Sequence, residues 1–221
     1  MCSCEKEIIT NSISWADFLI PLLASASGAY VAFKFQDIKE TRKQKKNNIA
    51  AANISIINLT QQLNCLATYY EDYLIGVKFN SYHCLQLKPF VFSKPTSTAI
   101  DFGEISFFVE MKKAGLFQDL LLMQDNFNNW LHKMDMYCEY RCKFEDAYAK
   151  NGLVSKEVAN ETLFVRTEQL AQYIVENTGP MIKDVIDNIK LTKKECIELF
   201  GSKSIVTHDI DFDKLIEKLK L

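Results

Sequence analysis

Hydrophobic and polar positions follow two rhythms along this chain, and the change from one to the other comes early. From Phe18 to Phe33 the chain is an uncharged, mostly apolar run, Phe-Leu-Ile-Pro-Leu-Leu-Ala-Ser-Ala-Ser-Gly-Ala-Tyr-Val-Ala-Phe. Apolar residues on every side of a helix point to lipid or to a core, not to a half-wetted surface. A bilayer core of about 30 Å takes roughly 20 residues at about 1.5 Å each. Counted from Trp15 to Phe35 the run is sufficient, with Asp17 at one headgroup layer and Lys34 snorkelling to the other. Trp15 at one end and Tyr30, Phe33 and Phe35 towards the other match aromatic belts. Pro21 falls in the first turn, where its missing N–H costs little. The pattern predicts a transmembrane helix over 15–35, a short extracytoplasmic tail over 1–14 and a cytoplasmic helical domain over 36–221.

Beyond Lys46 the rhythm becomes that of an amphipathic helix. Ile49, Ala52, Ile56, Leu59, Leu63, Leu66, Tyr70, Tyr73 and Leu74 recur at spacings of three and four, a stripe expected to continue to about Val77. A coiled-coil dimer could use it, but the drifting register favours packing against later helices of the same chain. Gly76 to Asp101 breaks the pattern, with Lys88-Pro-Phe-Val-Phe-Ser-Lys-Pro95 as a loop. Asp101 opens a second long helix through Phe107, Phe108, Met111, Leu116, Leu120, Leu121, Met123, Phe127, Leu131, Met134, Tyr137, Tyr140 and Phe144. Gly115 is placed to split it, and Lys150-Asn-Gly152 to end it. A third helix starts near Ser155 and Val158 and is punctuated by Asn177-Thr-Gly-Pro180. A fourth covers Met181 to Phe200, and Asp209–Leu221 forms a short amphipathic tail helix. The expected fold class is all-α: one transmembrane helix continuing into an antiparallel helical bundle or elongated hairpin.

Charge decides the orientation. The chain has a net charge of −2, so no global field marks a nucleic-acid binder. Its basic residues cluster after the apolar run, at Lys34, Lys39, Arg42, Lys43, Lys45 and Lys46, which by the positive-inside rule puts the N-terminus outside and the remainder in the cytoplasm. Beside a span these cations are assigned to anionic lipid headgroups, about 1 kcal/mol each, rather than to nucleic acid. Ala24, Gly28 and Ala32 repeat every fourth residue, the spacing that lets membrane helices approach closely, which implies self-association. A cleaved signal peptide fits Ala24-Ser25-Ala26 but not the acidic segment before it, with Glu5, Glu7 and Asp17. A buried helix of a soluble core is the other alternative, because Ser25, Ser27 and Gly28 dilute the apolar run.

Composition adds two constraints. Only seven glycines and four prolines in 221 residues favour long helices over a turn-rich β fold. Seven cysteines, an odd number, read as free thiols in a cytoplasmic body; Cys2 and Cys4 alone fall on the outer side. No catalytic constellation emerges. Phosphate-loop, dinucleotide, nucleophile-elbow and zinc-protease motifs are all missing. Asp101-Phe102-Gly103 spells a kinase tripeptide but lacks its companions and reads as a helix N-cap. Cys138 and Cys142 share a helix face, yet His132 lies off it, and zinc takes four convergent ligands. Neither a metal nor a cofactor is expected. Catalysis by a cysteine with His83 or His208 would need a tertiary coincidence.

Taken together, the acidic N-terminus, Phe18-Leu-Ile-Pro-Leu-Leu, Lys39-Glu-Thr-Arg-Lys-Gln-Lys-Lys46 and Ile105-Ser-Phe-Phe…Leu120-Leu-Leu-Met-Gln…Phe127 resemble a family of small bacterial single-span inner-membrane proteins with a helical cytoplasmic body. These are of the kind found as transmembrane effectors of retron anti-phage systems. The resemblance lies in pattern and transfers no catalytic residue. It implies a non-enzymatic, toxin-like effector that perturbs the inner membrane, with a reverse transcriptase or, indirectly, its nucleic-acid product as partner. The alternative is a constitutive membrane anchor or scaffold whose helical body recruits another protein.

Overall fold

The computed structural model describes residues 15–77, 82–88, 98–151, 161–206 and 210–221. Among them the α-helices in chain order are α1 (Trp15–Tyr69), α2 (His83–Gln86), α3 (Phe107–Glu110), α4 (Ala114–Asn151), α5 (Glu161–Phe200) and α6 (Phe212–Leu219). A π-helical turn, Tyr70–Leu74, follows α1, and a 3₁₀ turn, Ser202–Ser204, follows α5. The described residues contain no strand, so the chain is all-α. It divides into two compact units, Met1–Asn47 and Asn48–Leu221, and α1 contributes residues to both.

In the second unit the core follows the stripes. On α1, Ala52, Ile56, Leu59, Leu63 and Leu66 are buried at alternating spacings of four and three. On α4 the same alternation buries Leu116, Leu120, Met123, Phe127, Trp130, Met134 and Tyr137. Trp130 replaces the expected Leu131 in the core, and Met111 and Leu121 of the expected stripe are exposed. One step along a helix turns a side chain by about 100°, so a neighbouring apolar residue competes for the same seat. From α5, Ala171, Ile174, Ile182, Val185, Ile186 and Ile189 complete the core.

Three polar pairs fix direction. Lys113 meets Glu195, Asn129 meets Tyr173 and Arg166 meets Tyr140, so α4 and α5 run antiparallel. Gln62 meets Gln124 and Tyr69 packs edge-on against Trp130, so the 48–69 portion of α1 runs parallel to α4. An all-antiparallel arrangement was the expectation. Between α1 and α4 in the chain, the described residues of 70–113 carry the π-helical turn and the short helices α2 and α3.

Two expected breaks move. Asn177-Thr-Gly-Pro180 lies inside the unbroken α5. Asn177 Nδ2 and Thr178 Oγ1 donate to the carbonyls four residues back, Tyr173 at 2.8 Å and Ile174 at 2.6 Å. Pro180 is exposed, so water can reach the carbonyl its ring leaves without an N–H. The second break falls at Met111–Lys113 rather than at Gly115. Lys112 takes φ 61°, the Lys112 N–H donates to Val109 O and the Lys113 N–H to Phe108 O. That is a Schellman stop built on a lysine where glycine is usual. Asp101 Oδ1 accepts from the N–H groups of Gly103 and Glu104, but what it caps is a run of turns: α3 begins only at Phe107, with Ser106 at its N-cap, so the long helix expected to open at Asp101 does not. The loop after Lys88, the helix start near Ser155, and Cys2, Cys4 and His208 lie outside the described residues.

No helix among the described residues is long and apolar enough to cross a membrane. The all-α class therefore stands without the expected span over 15–35. Ser25, Ser27 and Gly28 interrupt the apolar run, and Lys34 with Gln36 closes it.

Candidate functional site

Within the first unit, the described residues 19–47 of α1 are exposed throughout. The exposed set includes side chains that ordinarily seek cover: Leu19, Ile20, Leu22, Leu23, Tyr30, Val31, Phe33 and Phe35, with Ile20 at 66% and Phe33 at 72%. At about 100° per residue, Leu19, Ile20, Leu22 and Leu23 fall within about 160° of the helix, Tyr30, Val31, Phe33 and Phe35 widen the large apolar face to about 220°, and Pro21, Ser25, Gly28, Ala29 and Ala32 hold the remainder without charge. Ser27 Oγ donates to Ala24 O at 3.0 Å, which satisfies its hydroxyl within the helix and lowers the cost of an apolar setting. Ala24, Gly28 and Ala32 stand on one face, and a Cβ added at Gly28 would meet nothing within 4 Å.

Immediately C-terminal lie Lys34, Lys39, Arg42, Lys43, Lys45 and Lys46, all exposed. Asp37 and Glu40 are the only acids in that stretch, and Glu40 accepts a hydrogen bond from Gln36. No described ion pair engages any of the six cations, so their charge is left to solvent or to an anionic partner. This half of α1 thus offers an apolar collar followed by a cationic one.

The second unit brings together groups that sequence distance concealed. The Glu168 carboxylate on α5 accepts from the backbone N–H groups of His83 (2.9 Å) and Cys84 (2.8 Å), and His83 Nδ1 lies 2.9 Å from the same carboxylate. Tyr137 on α4 donates to Leu87 O at 2.6 Å. Together these clamp the four-residue α2 to the long helices. Burial alone would raise the Glu168 pKa; the N–H groups of Cys84 and His83 outweigh it and hold the carboxyl below its ordinary range. Burial pushes the Cys84 thiol up to about 12, Glu168 adds to the rise and Arg141 opposes it. A thiol so raised stays protonated near neutrality and is a poor nucleophile. The Cys84–His83–Glu168 cluster has the composition of a cysteine triad but the electrostatics of a packing contact. Burial likewise raises Cys65 and Cys196 to about 12.

The other sequence candidates stay apart. His132 and Cys142 are exposed and Cys138 is half-buried. Among the described residues no group of three or more His, Cys, Asp or Glu is placed to hold a metal. Glu168 had no local signal that could have found it, because its partners lie more than eighty residues earlier in the chain. Comparison of the chain with protein-family models, curated proteins and solved structures gave no match.

Proposed function

We propose that this chain is a membrane-associated, non-enzymatic protein whose α1 seats its apolar collar in lipid and its cationic collar among anionic headgroups. The observation that carries this reading is the broad exposed face of large apolar side chains from Leu19 to Phe35 next to six cations without acidic partners among the described residues. An apolar face of about 220° with no charge on the remaining arc between Leu19 and Phe33 favours insertion over lying flat on the surface, which takes a strongly polar opposite face. The order of the collars gives a single pass with the cationic side cytoplasmic. The apolar stretch is short for a bilayer, and a short helix is accommodated by thinning the membrane and by snorkelling of Lys34.

Thinning links the anchor to the narrower reading, an effector of a retron-type anti-phage system. Copies brought together along Ala24, Gly28 and Ala32 would concentrate that distortion and perturb the inner membrane. The trigger would come from a defence-system partner, a reverse transcriptase or indirectly its nucleic-acid product, with no direct nucleic-acid contact by this chain. The non-enzymatic reading rests on the missing catalytic motifs. The second reading, a constitutive scaffold, uses the same lipid contact and differs only in what the helical unit recruits.

Membrane fractionation tests the shared premise. Full-length protein is expected in the membrane fraction and to float with liposomes containing anionic lipid; recovery in the soluble fraction without detergent overturns both readings. Induced expression separates them, since an effector depolarises cells and a scaffold does not. A Cβ at Gly28 meets nothing within 4 Å, so relief of depolarisation by Gly28→Leu is expected to report contact between copies.

A further inference from the structure

The second unit also carries a cationic groove that the lipid reading does not use. It lies between α4 and α5, has a volume of about 370 Å³, and is lined by Lys133, Met136 and Tyr140 from one helix and Arg166, Gln169 and Tyr173 from the other. On each helix these positions fall within two turns at spacings of three and four, so each set shares a face. The volume lies within the range of sites that hold small molecules, about 300–1,000 Å³.

Charge in the groove is one-sided. Lys133 and Arg166 line it and no acidic residue does. Among the described residues neither cation has a carboxylate partner. Arg166 is nonetheless held: its Nη1 donates to Tyr140 Oη at 3.2 Å, which orients the guanidinium without neutralising it. Tyr173 is held as well, its Oη accepting from Asn129 Nδ2 at 3.1 Å. Two positioned phenol rings, an ammonium and an aimed guanidinium face one space, with Met136 supplying an apolar wall and Gln169 an amide that both donates and accepts.

We propose that this groove binds a small molecule in which a phosphate is joined to a flat ring, a nucleoside monophosphate being the simplest of the class. Arg166 and Lys133 take the phosphate, Arg166 through the paired N–H geometry suited to it. The ring lies against Tyr140, Tyr173 and Met136, and Gln169 reads its polar edge. No covalent step is involved.

Titration calorimetry of the full-length chain in nonionic detergent at low salt tests this with three probes: adenosine 5′-monophosphate, inorganic phosphate and adenosine. The nucleotide is expected to bind saturably, and each of the other two at least about tenfold more weakly. Arg166→Gln and Lys133→Gln should each cost about tenfold or more in affinity, the loss of one charge-assisted hydrogen bond. Arg166→Lys should recover part of the loss. Lys218→Gln, a cation paired with Glu71 and outside the groove lining, should leave affinity unchanged. Far-ultraviolet circular dichroism melts confirm that each variant is folded. The proposal fails if no probe binds saturably, if phosphate alone binds as tightly as the nucleotide, or if neither glutamine variant weakens binding.

Discussion

Glu168 shows what one residue contributes when its partners come from far along the chain. Its carboxylate serves two backbone N–H groups and an imidazole. Glu168→Gln removes the charge and one acceptor oxygen, leaving a part-buried N–H without its partner, at about 1–3 kcal/mol. The sign with pH follows from the lowered carboxyl pKa. The group stabilises the fold above the unfolded carboxylate value of about 4.3, and that stabilisation disappears as pH falls through the lower folded value. Urea titrations between neutral and acid pH should therefore show the wild-type advantage over Glu168→Gln shrinking towards acid. An advantage that does not change with pH would contradict the assignment. Thr178 is a second such residue: it accepts from Trp130 Nε1 at 2.9 Å and donates to Ile174 O. Thr178→Val keeps the shape but removes the acceptor that Thr178 gives a buried indole N–H, for a loss of about 1–3 kcal/mol in chemical denaturation.

At the scale of elements, the helix ends are built by backbone geometry more than by side chains. α3 ends at Lys112 and α6 at Lys220, both left-handed, with the next residue's N–H donating to a carbonyl five residues back, Phe108 and Ile216. Lysine in that conformation carries a Cβ penalty that glycine lacks. Lys112→Gly should stabilise the chain by up to about 1 kcal/mol at the midpoint of a thermal or urea transition; destabilisation would mean that the Lys112 side chain contributes contacts that outweigh its backbone strain. The opposite case is Gly179 in α5, where a Cβ would come within 2.9 Å of Leu221 Cδ2 and 3.5 Å of Tyr70 Cε2. A sequence reader takes Gly179-Pro180 as punctuation. In the fold the glycine admits Leu221, and the proline sits where solvent relieves its cost.

For the molecule as a whole, the two units have opposite relations to water. The second buries its apolar stripes in a continuous core, whereas the first leaves an apolar collar exposed. A surface of that kind in aqueous buffer is expected to self-associate. Full-length protein without detergent should sediment as large species, and replacing Ile20, Leu22 and Leu23 with serine should shift it towards the monomer in analytical ultracentrifugation. A monodisperse monomer before mutation would remove the ground for the lipid assignment.

Periodicity by itself determined the helical class, the stripe Ala52–Leu66 and most of the α4 core face, because burying one side of a helix imposes a spacing that survives in the residue order. The apolar and cationic collars are equally plain in one dimension. Tertiary structure alone decided that Trp130 and not Leu131 fills the core, that Asn177–Pro180 stays helical, and that Glu168 reaches His83 and Cys84. It also brought Lys133 and Arg166 to one groove. Those outcomes depend on what a side chain meets across the bundle, and nothing in the local sequence encodes a neighbour supplied from dozens of residues away.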